Sequence, residues 1–136
     1  MQARILVVED NDLNVHVLEA ILENLNVAYD VTHNGEAAIE MAKKQLGEYD
    51  LIFMDLHMPG MNGFDATDAI RALESYKKNP VPIVALTANA LMEEKSGFLR
   101  NTGLSDYLTK PFDEDDIVNV ISKLCPEYRS SLRRAM

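Results

Sequence analysis

Short apolar runs alternate with segments of helical spacing along the whole of this chain, five times in succession. The runs, which we predict to be strands, lie at 4–9, 27–32, 50–55, 83–87 and 105–109. The predicted helices that follow them cover 12–26, a segment from Asn34, 62–76, 89–101 and 113–124, and we expect Asp12, Asn34 and Asn62 to be the N-caps of the first three. Parallel strands need right-handed crossovers, which helices usually supply. We therefore predict one α/β domain with a mostly parallel sheet and helices on both faces.

Polar side chains stand at the ends of four of these runs. Glu9 and Asp10 close the first, Asp55 the third and Thr87 the fourth, and Lys110 follows the fifth. Ligands bind outside the carboxyl ends of the strands in open sheets of this kind. The pattern therefore predicts that these distant residues meet in a single crevice.

Three carboxylates in one crevice repel each other unless some are protonated or a cation joins them. Mg²⁺ suits the set Glu9, Asp10 and Asp55, since it prefers oxygen ligands and keeps places for water and phosphate. The backbone carbonyl of His57 is a further expected ligand, whereas its imidazole is not. We predict Mg²⁺ as the cofactor.

A carboxylate beside Mg²⁺ is also a nucleophile toward phosphorus. Asp55 is the best candidate, because it ends a strand that we expect to be central and precedes a loop rich in glycine. Lys110 would neutralise charge on the phosphoryl oxygens, and the Thr87 hydroxyl would donate a hydrogen bond to one of them. The sequence thus predicts catalytic roles for Asp55, Thr87 and Lys110.

Four motifs resemble those of the receiver domains of two-component response regulators: VVEDN at 7–11, MDLHMPGMNG at 54–63, LTA at 86–88 and LTKPF at 108–112. The resemblance runs from about Arg4 to Leu124. It implies a flavodoxin-like doubly wound (βα)5 fold, with a five-stranded parallel sheet in the order 2-1-3-4-5. It also implies a cis Lys110–Pro111 bond and makes Thr87 and Tyr107 the residues that switch on phosphorylation.

The finer resemblance is to receivers of hybrid sensor histidine kinases. The expected partner is a histidine kinase or a histidine phosphotransfer protein, and the domain would catalyse its own phosphorylation and slow dephosphorylation. We place the receiver domain at 1–125 and a C-terminal tail at 126–136. Apolar residues of the first helix (Leu13, Val15 and Val17) are expected to form the docking face, and a weak homodimer is left open.

The composition of the chain narrows its expected partners and its expected cellular compartment. The net charge of −9 disfavours binding to nucleic acid, and we read the arginines at 129, 133 and 134 as part of a solvated tail. No apolar run approaches the roughly 20 residues of a membrane span, and no signal-peptide pattern begins the chain, so no direct membrane contact is expected. Cys125, the single cysteine, is expected to pack rather than react. We expect a cytoplasmic location, either as a separate protein or as the cytosolic part of a membrane-bound hybrid kinase.

Two other functions are weighed against this one. The chain could be an interaction module that is not phosphorylated, which the complete set of polar residues argues against. It could be a phosphohydrolase with an aspartyl intermediate, but His57 stands where such enzymes typically carry a second aspartate. A flavin-binding protein is disfavoured because the acidic segment at 9–12 would repel a phosphate.

Overall fold

The computed structural model describes residues 2–88 and 102–132. Its strands are β1 (Arg4–Val8), β2 (Ala28–Thr32), β3 (Leu51–Asp55), β4 (Ile83–Thr87) and β5 (Asp106–Thr109). Its helices are α1 (Asp12–Asn24), α2 (Gly35–Gln45), α3 (Gly63–Arg71), α4 (Glu74–Lys78) and α5 (Glu114–Leu124). Two 3-10 segments, Leu46–Glu48 and Pro126–Ser131, complete the described elements. The helix predicted at 89–101 lies outside the described residues.

All five strands are parallel and pair in the order β2-β1-β3-β4-β5, so the predicted sheet is confirmed. Strands β3 and β4 are buried at every residue, as expected for apolar runs covered on both faces. Successive side chains of β1 and β3 enter opposite cores, because the side-chain period of a strand is two. The central strands are therefore held from both sides.

Helices cover both faces of the sheet. One core contains Leu18 and Leu22 of α1 together with Ile117 and Ile121 of α5. The other contains residues of α2 and α3, and Met54 and Met58 lie within it while Met61 packs against it. The methionines near Asp55 thus contribute to the packing of this core.

Asparagines begin three of the helices. Asn34 and Asn62 accept hydrogen bonds from backbone N–H groups three residues later, as predicted for N-caps. For α1 the cap is Asn11, not Asp12 as we expected. The Asn11 side chain accepts from Asn14 N at 3.0 Å, and Asp12 instead places its charge in the first turn.

The single helix expected from Asn62 to about Tyr76 is wrong. The backbone leaves the helical region at Leu73 (φ −71°, ψ 145°), which separates α3 from α4. Leu73 packs against the core there, and the Ser75 hydroxyl donates to Ala42 O at 3.1 Å. Tertiary contacts therefore divide a segment whose local pattern is continuous.

The start of the expected C-terminal tail is packed against the domain. Tyr128, in the 3-10 segment Pro126–Ser131, is buried, and its hydroxyl donates to Asp50 Oδ1 at 2.9 Å. Asp50 also accepts from Arg4 N at 2.9 Å through Oδ2, and from the thiol of Cys125 through its carbonyl. Burial raises the pKa of the Cys125 thiol to about 11, as fits a packing role.

None of the helices within 2–88 and 102–132 has the length and apolar character that a membrane crossing requires.

Candidate active site

The structure brings the predicted strand-end residues together at the carboxyl edge of the sheet. Glu9, Asp55 and Thr87 are buried there, at 0%, 2% and 1% exposure. Lys110 follows β5 and remains partly accessible, with 17% of its side chain exposed. Its ammonium lies 2.9 Å from Glu9 Oε1 and 3.4 Å from Asp55 Oδ1, so one cation bridges two buried carboxylates.

The acidic residues are crowded. One carboxylate oxygen from each of Glu9, Asp10 and Asp55 lies within 4.8 Å of the other two. Burial, then the neighbouring Glu9, raises the pKa of Asp55, although the His57 N–H and Lys110 oppose the shift. Burial, then Asp55, raises the pKa of Asp10. The proton lost from Asp55 or from Asp10 therefore leaves a charge that its surroundings stabilise poorly.

These residues fit a hard divalent cation. The three carboxylates offer oxygen atoms, which Mg²⁺ prefers, and Lys110 offsets only one of their charges. The buried Glu9 Oε1 receives no hydrogen bond from any residue that the structure describes, apart from its ion pair with Lys110. A metal ion would supply the missing positive charge at the point where it is needed.

His57 contacts the site in two ways. Its backbone N–H donates to Asp55 Oδ1 at 3.1 Å, and its ring Nε2 lies 3.3 Å from Thr87 Oγ1. The sequence predicted a role for the carbonyl of His57 but not this contact between its ring and Thr87. A histidine two residues beyond a strand is the only signal in the sequence, and the pattern does not show where its ring turns.

Two further features implied by the resemblance lie beside this edge. The Lys110–Pro111 peptide bond is cis. Tyr107 pairs with Ala85 across β4 and β5, is partly buried and packs against the core. His16 and His33 are exposed.

One of the expected docking residues is buried. Leu13 and Val17 are 71% and 41% exposed, but Val15 is only 6% exposed. Val15 lies one helical turn before Leu18, and both therefore belong to the stripe of α1 that faces the core. The exposed pair borders a cavity of about 230 Å³ that Lys110, Pro111 and Phe112 also line.

The family model for the response regulator receiver domain matches residues 5–122. The chain belongs to this family. Among curated relatives, hybrid signal transduction histidine kinase B of Dictyostelium discoideum is 45% identical to this receiver domain over 124 residues, 85% of this chain and 6% of that protein. Sensor histidine kinase GacS of Pseudomonas protegens is 40% identical over 121 residues, 88% of this chain and 13% of that protein. The receiver domain thus spans a small part of the length of these relatives.

Solved structures that resemble this chain also contain receiver domains. The receiver domain of sensor histidine kinase PA1611 from Pseudomonas aeruginosa superimposes with a TM-score of 0.78 at 38% identity, covering 91% of this chain and 98% of that one. That structure has a magnesium ion in its active site cleft. The co-crystal structure of Saccharomyces cerevisiae Ypd1, a histidine phosphotransfer protein, with the receiver domain of Ssk1 gives a TM-score of 0.77 at 33% identity, over 90% of this chain and 88% of that one.

Proposed function

We propose that this receiver domain accepts a phosphoryl group on Asp55 from a phosphohistidine of a histidine kinase or a histidine phosphotransfer protein. An oxygen of Asp55 forms a bond to phosphorus while the phosphorus–nitrogen bond breaks, and the released imidazole takes up a proton. The observation that carries the proposal is the position of Asp55, a buried carboxylate at the sheet edge whose Oδ1 lies near the Lys110 ammonium.

The chain's own groups would fix the nucleophile. The His57 N–H and the Lys110 ammonium both approach Asp55 Oδ1, at 3.1 and 3.4 Å, and hold the carboxylate in one orientation. Groups that are already in position lower the activation barrier of phosphoryl transfer, because the entropy cost of aligning them is met before the reaction. Lys110 would also offset the charge that develops on the phosphoryl oxygens.

Glu9, Asp10 and Asp55, with the backbone carbonyl of His57, would hold Mg²⁺. When bound, the metal would neutralise the crowded carboxylates and attract the oxygens of the phosphoryl group. The magnesium ion in the PA1611 receiver domain supports this part of the proposal. Asp10 is the most accessible of the three carboxylates and would hold the metal together with the buried Glu9 and Asp55.

Thr87 and Tyr107 would report the modification. The Thr87 hydroxyl would turn toward a phosphoryl oxygen on Asp55, and the partly buried Tyr107 would turn further inward. The two residues lie at neighbouring positions of β4 and β5, where Ala85 pairs with Tyr107 and Thr87 with Thr109. A change at Thr87 would thus reach the surface beside β5 and alter the choice of partner.

The donor would dock beside Lys110. Leu13 and Val17 expose apolar surface next to a cavity lined by Lys110, Pro111 and Phe112. A helix of a phosphotransfer protein could bury this surface and present its phosphohistidine to Asp55. The complex of Ypd1 with a receiver domain supports this class of partner.

The curated relatives also suggest the compartment and the signalling pathway in which the domain works. We propose that the domain works in the cytosol as part of a phosphorelay that includes a hybrid histidine kinase, and that it slowly hydrolyses its own aspartyl phosphate. Its similarity to segments of such kinases supports this context.

Incubation with acetyl phosphate and Mg²⁺, followed by intact mass measurement, tests the proposal. We expect the wild type to gain one phosphate, and expect no gain in Asp55→Asn or in the presence of EDTA. Asp68→Asn, which changes an exposed aspartate of α3, is the matched control. A wild type without mass gain would favour an interaction module, and phosphorylated Asp55→Asn would disprove the assignment of the acceptor.

A further inference from the structure

His57 joins the two residues on which the proposed switch depends. Its backbone N–H donates to the phosphoacceptor, Asp55, while its ring Nε2 lies 3.3 Å from the Thr87 hydroxyl oxygen. Thr87 is 1% exposed, whereas the His57 side chain is exposed at the rim of the site. The ring therefore reaches inward from the rim to a buried hydroxyl.

We propose that the His57 imidazole is a latch that holds the Thr87 hydroxyl in the unphosphorylated protein. The inference rests on the proposed function, because the latch acts against the phosphoryl group. A hydroxyl has one proton to donate. When Nδ1 of the ring carries the proton of the neutral imidazole, Nε2 accepts the Thr87 proton, and that proton cannot be donated to a phosphoryl oxygen at the same time.

The latch makes His57 a positioning residue for the switch. Phosphorylation must exchange the contact with Nε2 for a contact with a phosphoryl oxygen. The net effect of one hydrogen bond in water corresponds to a change of about two- to tenfold in an equilibrium constant. The identity of the side chain at position 57 thus sets how completely Thr87 responds to phosphate, without touching the phosphate itself.

Beryllofluoride, a stable mimic of the phosphoryl group, tests the latch when it is titrated in the presence of Mg²⁺. NMR signals of Thr87 and Tyr107 would report binding. We expect His57→Leu, which keeps the backbone groups but removes the ring nitrogen, to bind beryllofluoride about two- to tenfold more tightly than the wild type. His57→Gln places an amide near the position of Nε2 and should restore most of the wild-type affinity.

A double-mutant cycle separates the latch from a general effect of the substitution. In a Thr87→Ala background the change from His57 to Leu should leave beryllofluoride affinity unaltered, because the hydroxyl is gone. His16→Leu, at an exposed histidine of α1, is the control for loss of a surface imidazole. Equal affinities of wild type and His57→Leu, or the same gain in both backgrounds, would overturn the latch and leave the proposed function standing.

A second measurement does not depend on phosphoryl binding. The ¹⁵N spectrum of the imidazoles in the unphosphorylated protein should show His57 with Nδ1 protonated and Nε2 as an acceptor. A ring protonated at Nε2 would overturn the latch. If the wild type binds no beryllofluoride, the proposed function fails, and this spectrum still decides whether His57 holds Thr87.

Discussion

Removing the charge of Asp55 should stabilise the domain when no metal is bound. The carboxylate oxygens of the cluster lie within 4.8 Å of one another, and at that upper limit two like charges repel by about 3.5 kcal/mol at an effective dielectric constant of about 20. Asp55 faces two such charges, on Glu9 and Asp10, and one favourable charge, the Lys110 ammonium at 3.4 Å, which is worth about 5 kcal/mol on the same scale. The repulsions exceed the attraction by about 2 kcal/mol, and dehydration of the buried carboxylate adds to the excess.

Asp55→Asn keeps the shape of the side chain and leaves Lys110 paired with Glu9 at 2.9 Å. We therefore expect its free energy of unfolding at neutral pH, in EDTA, to exceed that of the wild type by about 2 kcal/mol. Urea denaturation followed by circular dichroism measures the difference. Asp68→Asn, at an exposed position of α3, should change the free energy of unfolding by less than about 0.5 kcal/mol.

The difference in free energy of unfolding between Asp55→Asn and the wild type should depend on pH in a defined way. The native pKa of Asp55 is raised above the 3.8 of an ordinary aspartate, so the folded protein binds a proton that the unfolded chain has already released. Wild-type stability due to this group consequently falls as the pH rises between the two values. The advantage of Asp55→Asn should be complete above the native pKa and absent below pH 3.8.

Magnesium should narrow the difference in free energy of unfolding between Asp55→Asn and the wild type, because a ligand that binds only the folded state stabilises it by an amount that grows with the logarithm of its affinity. The wild type should gain more from Mg²⁺ than Asp55→Asn does. An Asp55→Asn domain that is less stable than the wild type in EDTA at neutral pH would refute the reasoning, since Lys110 would then outweigh both acidic neighbours.

Three more predictions follow from contacts at and around the site. Gly63→Ala should destabilise the domain by about 1–3 kcal/mol in urea and slow its labelling by acetyl phosphate, because the new Cβ would overlap the backbone oxygen of Asp55. Tyr49→Phe should cost about 1–2 kcal/mol at pH 7, since the buried Tyr49 hydroxyl donates to Asp30 Oδ2 at 2.6 Å. This bond is the main cause of the lowered pKa of Asp30, so the cost should shrink as the pH falls through that pKa. Leu13→Glu should lower phosphotransfer from a phosphotransfer protein, relative to labelling by acetyl phosphate, about tenfold.

Each of these predictions has an outcome that contradicts it. Normal stability and labelling of Gly63→Ala would show that the loop after β3 yields without moving Asp55. A cost of Tyr49→Phe that is the same at low and neutral pH would separate the hydroxyl from the charge of Asp30. Equal transfer ratios for the wild type and Leu13→Glu would exclude the exposed end of α1 from the docking surface.

The sequence predicts the sheet and its functional edge well, because both depend on local patterns. Strands buried on two faces appear as continuous apolar runs, and the polar residues that end them must meet once the strands are parallel. The placement of Glu9, Asp55, Thr87 and Lys110 at one edge follows from these two facts.

What the sequence does not predict depends on contacts between distant segments. The helix breaks at Leu73, whose side chain packs against the core, although nothing local stops the helix. Tyr128 packs against the sheet through Asp50, a residue 78 positions away. The ring of His57 reaches Thr87 only in the folded domain. To predict any of these features, one must know where both contacting residues lie in the folded domain.

The central claim is that Asp55 carries the phosphoryl group, and locating the modified residue tests it most directly. The protein would be labelled by a phosphorylated histidine phosphotransfer protein with Mg²⁺, treated with borohydride, which reduces an acyl phosphate to an alcohol, and analysed by peptide mass spectrometry. We predict that Asp55, in the peptide that contains MDLHMPGMNG, is the one residue of the protein that is reduced. Reduction at Glu9, Asp10 or any other carboxylate, with Asp55 intact, would contradict the account.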